Sequence, residues 1–348
     1  MEANSDNSCR FELVFGEAIT PVIGEIQKLH DCSFKDLIQK EMLQTMGWFL
    51  SDFYIRESLS IGNFDCQLRV NGLVKAQTRI LPDLNLAINS KPFIEKITGI
   101  NAEEMFDYFF CRWIRKNKIY GAVKSGCSIF SAAGALEKWI LYYVFSNSTE
   151  LFAAGDLEKL INHSTWHPGA VKEALKNTRK EVILQTIKNL LWEGVALKPL
   201  EIILASIALY GGKDCQSNYL TIMVRKALSK QICLPFLDKE GFMSHITFDQ
   251  KLEEWLEKQM HEDSELSLDP LVEKMFQLSI FSEIIKAKDQ GYHPVVLTSK
   301  TLRKGIKNLI HKPMPYISVL SLSEISPGIK LRSVGCLKKT GFKQFMEL

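Results

Sequence analysis

The hydrophobic period of this chain changes along its length, and the change dictates what it can fold into. Ile183, Ile187, Leu190 and Leu191 form one stripe at helical spacing, Leu200, Ile203, Leu204, Ile207 and Ala208 a second, and Leu220, Val224, Ala227 and Leu228 a third. Such stripes bury one side of a helix. On either side the spacing shortens to that of strands, so a helical bundle must sit between two sheet-containing regions. Pro199 suits a first helical turn, Gly211-Gly212 ends that helix, and Pro235 stops the third.

Upstream, Glu12-Leu13-Val14-Phe15 reads as a strand, and Phe34, Leu37 and Ile38 open a helix that runs to Gly47. Cys66 to Val70 alternates, Asn71-Gly72 follows, and Leu73 to Leu81 resumes, which is the pattern of a β-hairpin. From Lys91 to Tyr120 the texture becomes aromatic and basic, and we read a small inserted subdomain. Its cluster of Phe106, Tyr108, Phe109, Phe110 and Trp113 is either a miniature core or an exposed groove that accepts partner side chains.

Downstream, Asp269-Pro270 opens a helix with a carboxylate cap and a proline in the first turn. Pro294 to Leu297 is a buried-strand run, Ser299 can cap the helix that follows, and Ile317 to Leu320 and Ile329 to Val334 are further strands. That order implies a crossover onto a parallel pair. Residues 249–273 carry nine acids against two bases, and residues from 300 onward carry ten bases against two acids. Such runs are solvated faces or a steering surface for a charged partner. The stretch from about Lys338 reads as a tail.

At 348 residues the chain holds two to four compact units. Charged residues at 24% and an apolar share of 46% exclude a disordered chain. A net charge of +3 is too even for a non-specific nucleic-acid binder, although the basic residues after 300 keep a nucleic-acid partner as the alternative reading. The longest apolar run, near Ile202–Tyr210, is about half of a membrane span. The acidic start, Met1-Glu2-Ala3-Asn4-Ser5-Asp6, is unlike a signal peptide and suggests a cytosolic beginning. Eight cysteines without a close CxxC pair fit small buried hydrophobes in a reducing compartment. Gly211-Gly212-Lys213 lacks the frame of a phosphate loop, and His163 and His167 have no third ligand nearby. Neither an enzyme nor a cofactor is expected.

Three blocks then carry a resemblance. They are Asn189-Leu190-Leu191-Trp192-Glu193-Gly194-Val195; Val224-Arg225-Lys226-Ala227-Leu228 through Cys233; and Pro294-Val295-Val296-Leu297-Thr298-Ser299 with Leu302-Arg303, Val319-Leu320-Ser321, Glu324-Ile325 and Ser333-Val334-Gly335. Ile55-Arg56-Glu57-Ser58-Leu59, Pro82 with Leu86-Ala87-Ile88, and Glu150-Leu151-Phe152 extend it upstream. The chain thereby resembles the cytoplasmic part of the bacterial type III secretion and flagellar export-gate family, of the FlhA/InvA/LcrD (FHIPEP) type, over about residues 11–337.

The resemblance implies a multidomain α+β and α/β architecture. Residues 1–87 and 125–150 would form an α/β first domain, 88–124 an inserted subdomain, 151–235 a helical domain and 236–337 an α/β fourth domain, with 338–348 as the tail. It further implies a docking platform for secretion chaperones and export substrates, contact with the export ATPase stalk, and a ring of probably nine copies at the cytoplasmic face of the inner membrane. The family's membrane region is missing here, so the chain is expected to be an excised soluble fragment, with an unusually short relative as the alternative. Carried over residue by residue, chaperone docking falls on Glu104, Asp107 and Lys138, with Phe106, Phe109, Phe110 and Trp113 as apolar contacts. Ring contact falls on Glu193, Lys198 and Glu201, beside a Pro199 that replaces a family acid. A charged trio at Glu104, Asp107 and Lys138 would lose hydration on docking, which puts the flagellar chaperone mode in doubt.

Overall fold

The computed structural model describes residues 10–89, 97–106, 109–163, 168–261 and 265–342. The chain divides into two compact units, Met1–Thr165 and Trp166–Leu348.

In the first unit the strands β1 (Phe11–Phe15), β2 (Phe53–Glu57), β3 (Asp65–Val70) and β4 (Leu73–Arg79) form a sheet in the order β2-β1-β3-β4. Every residue of β1 is buried, because it is an inner strand, parallel to β2 and antiparallel to β3. The expected hairpin joins β3 to β4, and Asn71 and Gly72 both take positive φ, 50° and 81°, which the twist of a two-residue turn requires. Helices α1 (Thr20–His30) and α2 (Phe34–Met46) lie between β1 and β2. Ser33 Oγ caps α2 by accepting from the Asp36 N–H at 3.1 Å, and Gly47 ends it at φ 75°.

A second sheet holds β5 (Asn85–Asn89), β6 (Ile100–Asn101), β7 (Phe110–Ile114) and β8 (Ser128–Phe130) in the order β6-β7-β5-β8, antiparallel throughout. It takes strands from both sides of the expected 88–124 insert, because β7 pairs with β6 on one edge and with β5 on the other, and β5 in turn pairs with β8. Helix α3 (Ile119–Lys124) covers one face through a small core of Ala87, Ile97, Ile114, Ala122 and Cys127. Helix α4 (Ala132–Ser146) packs on β5 and β8. Two further helices, α5 (Ser148–Leu151) and α6 (Ala154–His163), complete the unit, so α6 groups with the first unit and not with the helices after it.

The second unit opens with α7 (Pro168–Asn177), α8 (Lys180–Trp192), α9 (Leu200–Tyr210), α10 (Ser217–Ala227) and α11 (Ser229–Cys233). The three apolar stripes lie on α8, α9 and α10, with Ile183, Leu190, Ile203, Ile207, Leu220 and Val224 buried. Then come β9 (Phe242–Phe248), α12 (Gln250–Lys258), α13 (Pro270–Asp289), β10 (Val295–Thr298), α14 (Leu302–His311), β11 (Val319–Ser321) and β12 (Lys330–Leu337). The sheet order is β11-β10-β9-β12, all parallel, and α14 makes the expected crossover from β10 to β11. Asp269 Oδ1 accepts from the Leu271 N–H at 2.8 Å and Ser299 Oγ from the Leu302 N–H at 3.3 Å, so both expected caps form.

Two features differ from the sequence reading. The inner strand β9 was not expected, because Ser244 and His245 break the apolar run although both are buried. The expected tail begins with a 3-10 turn, Lys339–Phe342, that returns Phe342 to the core against Phe276, with ring centroids 5.8 Å apart. At 3% exposure Phe342 is a core residue. Phe342→Ala should therefore lower unfolding free energy by about 3 kcal/mol, the order for emptying a buried phenyl site, as read by urea denaturation.

Candidate functional site

Trp192-Glu193-Gly194 ends α8 in a way that only glycine allows. Gly194 stands at φ 76°, its N–H donates to Leu191 O at 3.0 Å and that of Val195 to Leu190 O at 2.9 Å, closing the last turn. That turn aims Glu193 inward, where it meets two arginines. Arg225 Nη1 lies 2.8 Å from Glu193 Oε2, and Arg303 donates to both Glu193 oxygens, at 2.7 and 3.2 Å. Arg225 Nε also donates to Glu324 Oε1 at 2.6 Å. Glu324 is fixed in turn by the Ser321 N–H, at 2.9 Å, and the Ser321 hydroxyl, at 3.1 Å.

All four charged side chains are nearly inaccessible to water. Burial pushes both carboxyls up, but Arg225 and Arg303 outweigh it and hold Glu193 and Glu324 below the ordinary glutamate range. Lys307 lies one turn beyond Arg303 on the buried side of α14, and its ammonium donates to the carbonyls of Ile317, at 2.9 Å, and Pro315, at 3.1 Å. Here burial wins, against the attraction of Glu193 and with the repulsion of Arg225 and Arg303, and lowers its pKa to about 7. The Trp192 indole N–H donates to Asn308 Oδ1 at 3.2 Å and its ring stacks on His311. These contacts tie α8 and α10 to α14 and the β11 turn.

Glu193 is thus committed within its own subunit and does not present the ring-contact charge expected of it. Of the other two, Lys198 is exposed and Glu201 half-buried. Arg303 and Lys307 likewise leave the expected basic surface, where neither could reach a nucleic-acid phosphate. The sequence reading quoted Arg225, Arg303 and Glu324 only as motif letters. The signal that could have found them is charge on an apolar face: Arg225 beside Val224, and Arg303 with Lys307 among Leu302, Ile306 and Ile310.

In the insert, Trp113 shares a cross-strand row with Ile100, Leu86 and Phe130, on the sheet face away from α3, and is 1% exposed. Phe106 is buried edge-on against Tyr142 of α4, centroids 5.3 Å apart. These two rings belong to the core, so the apolar contact expected of them is made within the fold. Phe109 and Phe110 are half-buried, with Arg112 4.9 Å over the Phe110 ring. Glu104 and Lys138 are exposed, Lys138 Nζ lying 4.7 Å over Phe130, while Asp107, Tyr108 and His167 fall outside the described residues. Among the described residues no group of His, Cys, Asp and Glu is placed to hold a metal, and no helix is long and apolar enough to cross a membrane.

Comparison with known proteins decides the family. The model described as the FHIPEP family matches residues 3–330. The chain belongs to the FHIPEP family. Among family members, the flagellar biosynthesis protein FlhA of Bacillus subtilis is 24% identical over 304 residues, 86% of this chain and 45% of that protein. FlhA of Treponema pallidum is 21% identical over 338 residues, 94% and 47% of the two chains. This chain spans about half the length of these relatives. The fold matches the cytosolic domain of EscV from a type III secretion system, solved as a nonamer, with a TM-score of 0.66 at 15% identity over 97% of this chain and 98% of that one. The Chlamydia pneumoniae CdsV protein matches with a TM-score of 0.65 at 19% identity, over 97% and 100%. The mixed architecture that the resemblance implied is therefore that of FHIPEP cytoplasmic domains.

Two outcomes follow from the geometry. The unfolded chain holds the Lys307 proton to about pH 10 and the folded chain only to about pH 7. The charged amine is therefore costly at and below pH 7, and stability should rise between pH 7 and 10 by up to ~1.4 kcal/mol per unit. Lys307→Met should flatten that rise in denaturation midpoints measured across the range. In the insert, Trp113→Ala should cost about 3–5 kcal/mol and Phe110→Ala within about 1 kcal/mol, read from thermal melts.

Proposed function

We propose that this chain is the cytoplasmic docking platform of a bacterial protein-export gate, flagellar or virulence-type, and works as one member of a homo-oligomeric ring under the inner-membrane pore. The observation that carries this reading is the end-to-end agreement of its fold with the EscV cytosolic domain, which assembles as a nonamer. CdsV has also been solved in complex with CdsO, and a protein partner of this chain, for which the resemblance suggests the export ATPase stalk, is part of the same reading.

The platform offers surfaces and makes no bonds. Leu209 and Tyr210 at the end of α9 and Tyr219 and Ile222 on α10 are exposed apolar side chains, and with Lys198 and Glu201 they form the candidate ring face. Chaperones and their export substrates would meet the half-buried Phe109 and Phe110. Glu104, Asp107 and Lys138 would join in docking on the strength of the resemblance alone. A transport device must release what it captures, so the affinities are weak, on the order of micromolar.

Calorimetry of the chain against secretion chaperones of its own bacterium, loaded with substrate, should give a Kd on the order of 1 µM. Phe109→Ala should weaken binding about tenfold without moving the melting temperature. Absence of binding by every such chaperone would overturn the docking role.

A further inference from the structure

A second surface that the docking role leaves unused is the outward side of α3 and the turn that leads into it. Residues 108–136 contain five bases, Arg112, Arg115, Lys116, Lys118 and Lys124, and not one acid. Helix α3 turns Ile119 and Ala122 toward the sheet core and Tyr120 and Val123 away from it, 72% and 53% exposed. Lys124 Nζ sits 4.7 Å over the Tyr120 ring, so cation and aromatic share one side of the helix. Arg115, Lys116 and Lys118, in the turn that leads into α3, are exposed as well. Among the described residues none of these four exposed cations is joined in an ion pair.

We propose that this projecting face, Tyr120 and Val123 ringed by Arg115, Lys116, Lys118 and Lys124, docks on an anionic phospholipid surface. The charge selects a negative partner, and the exposure selects its shape. A side chain as exposed as Tyr120 has no walls around it, whereas peptide recognition uses a groove, a pocket or a strand edge. A plane of headgroups needs neither: it takes an apolar tip into its boundary and gathers the surrounding cations against its phosphates. Tyrosine suits that boundary, with an apolar ring and a hydroxyl that stays wet. Each cation near such a surface contributes about fivefold in affinity, so four of them with a two-residue tip give weak, reversible attachment. Lys138 lies on α4, which packs the sheet on its own account, and plays no part here.

Co-sedimentation of the full chain with vesicles tests this. Binding is expected to vesicles of phosphatidylcholine mixed with phosphatidylglycerol and not to phosphatidylcholine alone, and to vanish near ~1 M salt, where charges are screened within ~3 Å. Lys116→Ala, Lys118→Ala and Lys124→Ala should each weaken it about fivefold, and the triple change to Glu should abolish it. Tyr120→Ser should weaken binding and leave its salt dependence unchanged. Lys172→Glu with Lys176→Glu, on α7, should change nothing. Unaltered melting temperatures confirm that the variants fold, since every changed side chain is exposed. Equal binding to both vesicle types, binding retained by the triple variant, or binding to polyglutamate but not to vesicles would overturn the proposal.

Discussion

Arg225 is the residue around which the second unit is organised. A guanidinium with almost no access to water is tolerable only if carboxylates replace its hydration, and Glu193 and Glu324 do so from opposite ends of the unit's sequence. Arg303 doubles the arrangement by gripping Glu193 with two hydrogen bonds. Removing one member would strand the others, at about 3–5 kcal/mol, so the four are kept or lost together. Their directional demands do what apolar contact alone cannot. They admit a single placement of α8 and α10 on α14 and the β11 turn.

Lys307 makes this junction sensitive to its proton count. Its two carbonyl partners satisfy the two N–H groups of a neutral amine, and the third N–H of an ammonium adds a positive charge beside two arginines. The four-membered ion cluster keeps its charges, and the lysine at its edge is the group whose charge is most easily given up.

The first unit follows different logic. The sheet of β6, β7, β5 and β8 is sandwiched between α4 and α3, and each helix turns an apolar side toward it. Of the aromatic rings in residues 106–113, Trp113 and Phe106 are therefore consumed internally, while Phe109 and Phe110 are half-buried. What remains outside is charge and a few projecting rings, a surface suited to brief contacts. The helices of the second unit differ, since Tyr219 and Ile222 leave exposed apolar side chains on α10.

Local signals were legible wherever a residue's conformation is decided by its near neighbours. The stripes on α8 to α10, the Asn71-Gly72 turn, the caps at Asp269 and Ser299 and the crossover through α14 all follow from spacing and turn chemistry, and the motif blocks around Trp192-Glu193-Gly194 identify the family. What only the tertiary structure decided depends on residues far apart in the chain. Spacing cannot reveal that Glu193 finds Arg303 across 110 positions, that polar Ser244 and His245 sit on an inner strand, that the insert borrows β5 and β8, or that Phe342 folds back onto Phe276. A charge or an aromatic ring reads the same in sequence whether water or another side chain surrounds it, and burial, which sets its energy and its role, is a property of the assembled fold alone.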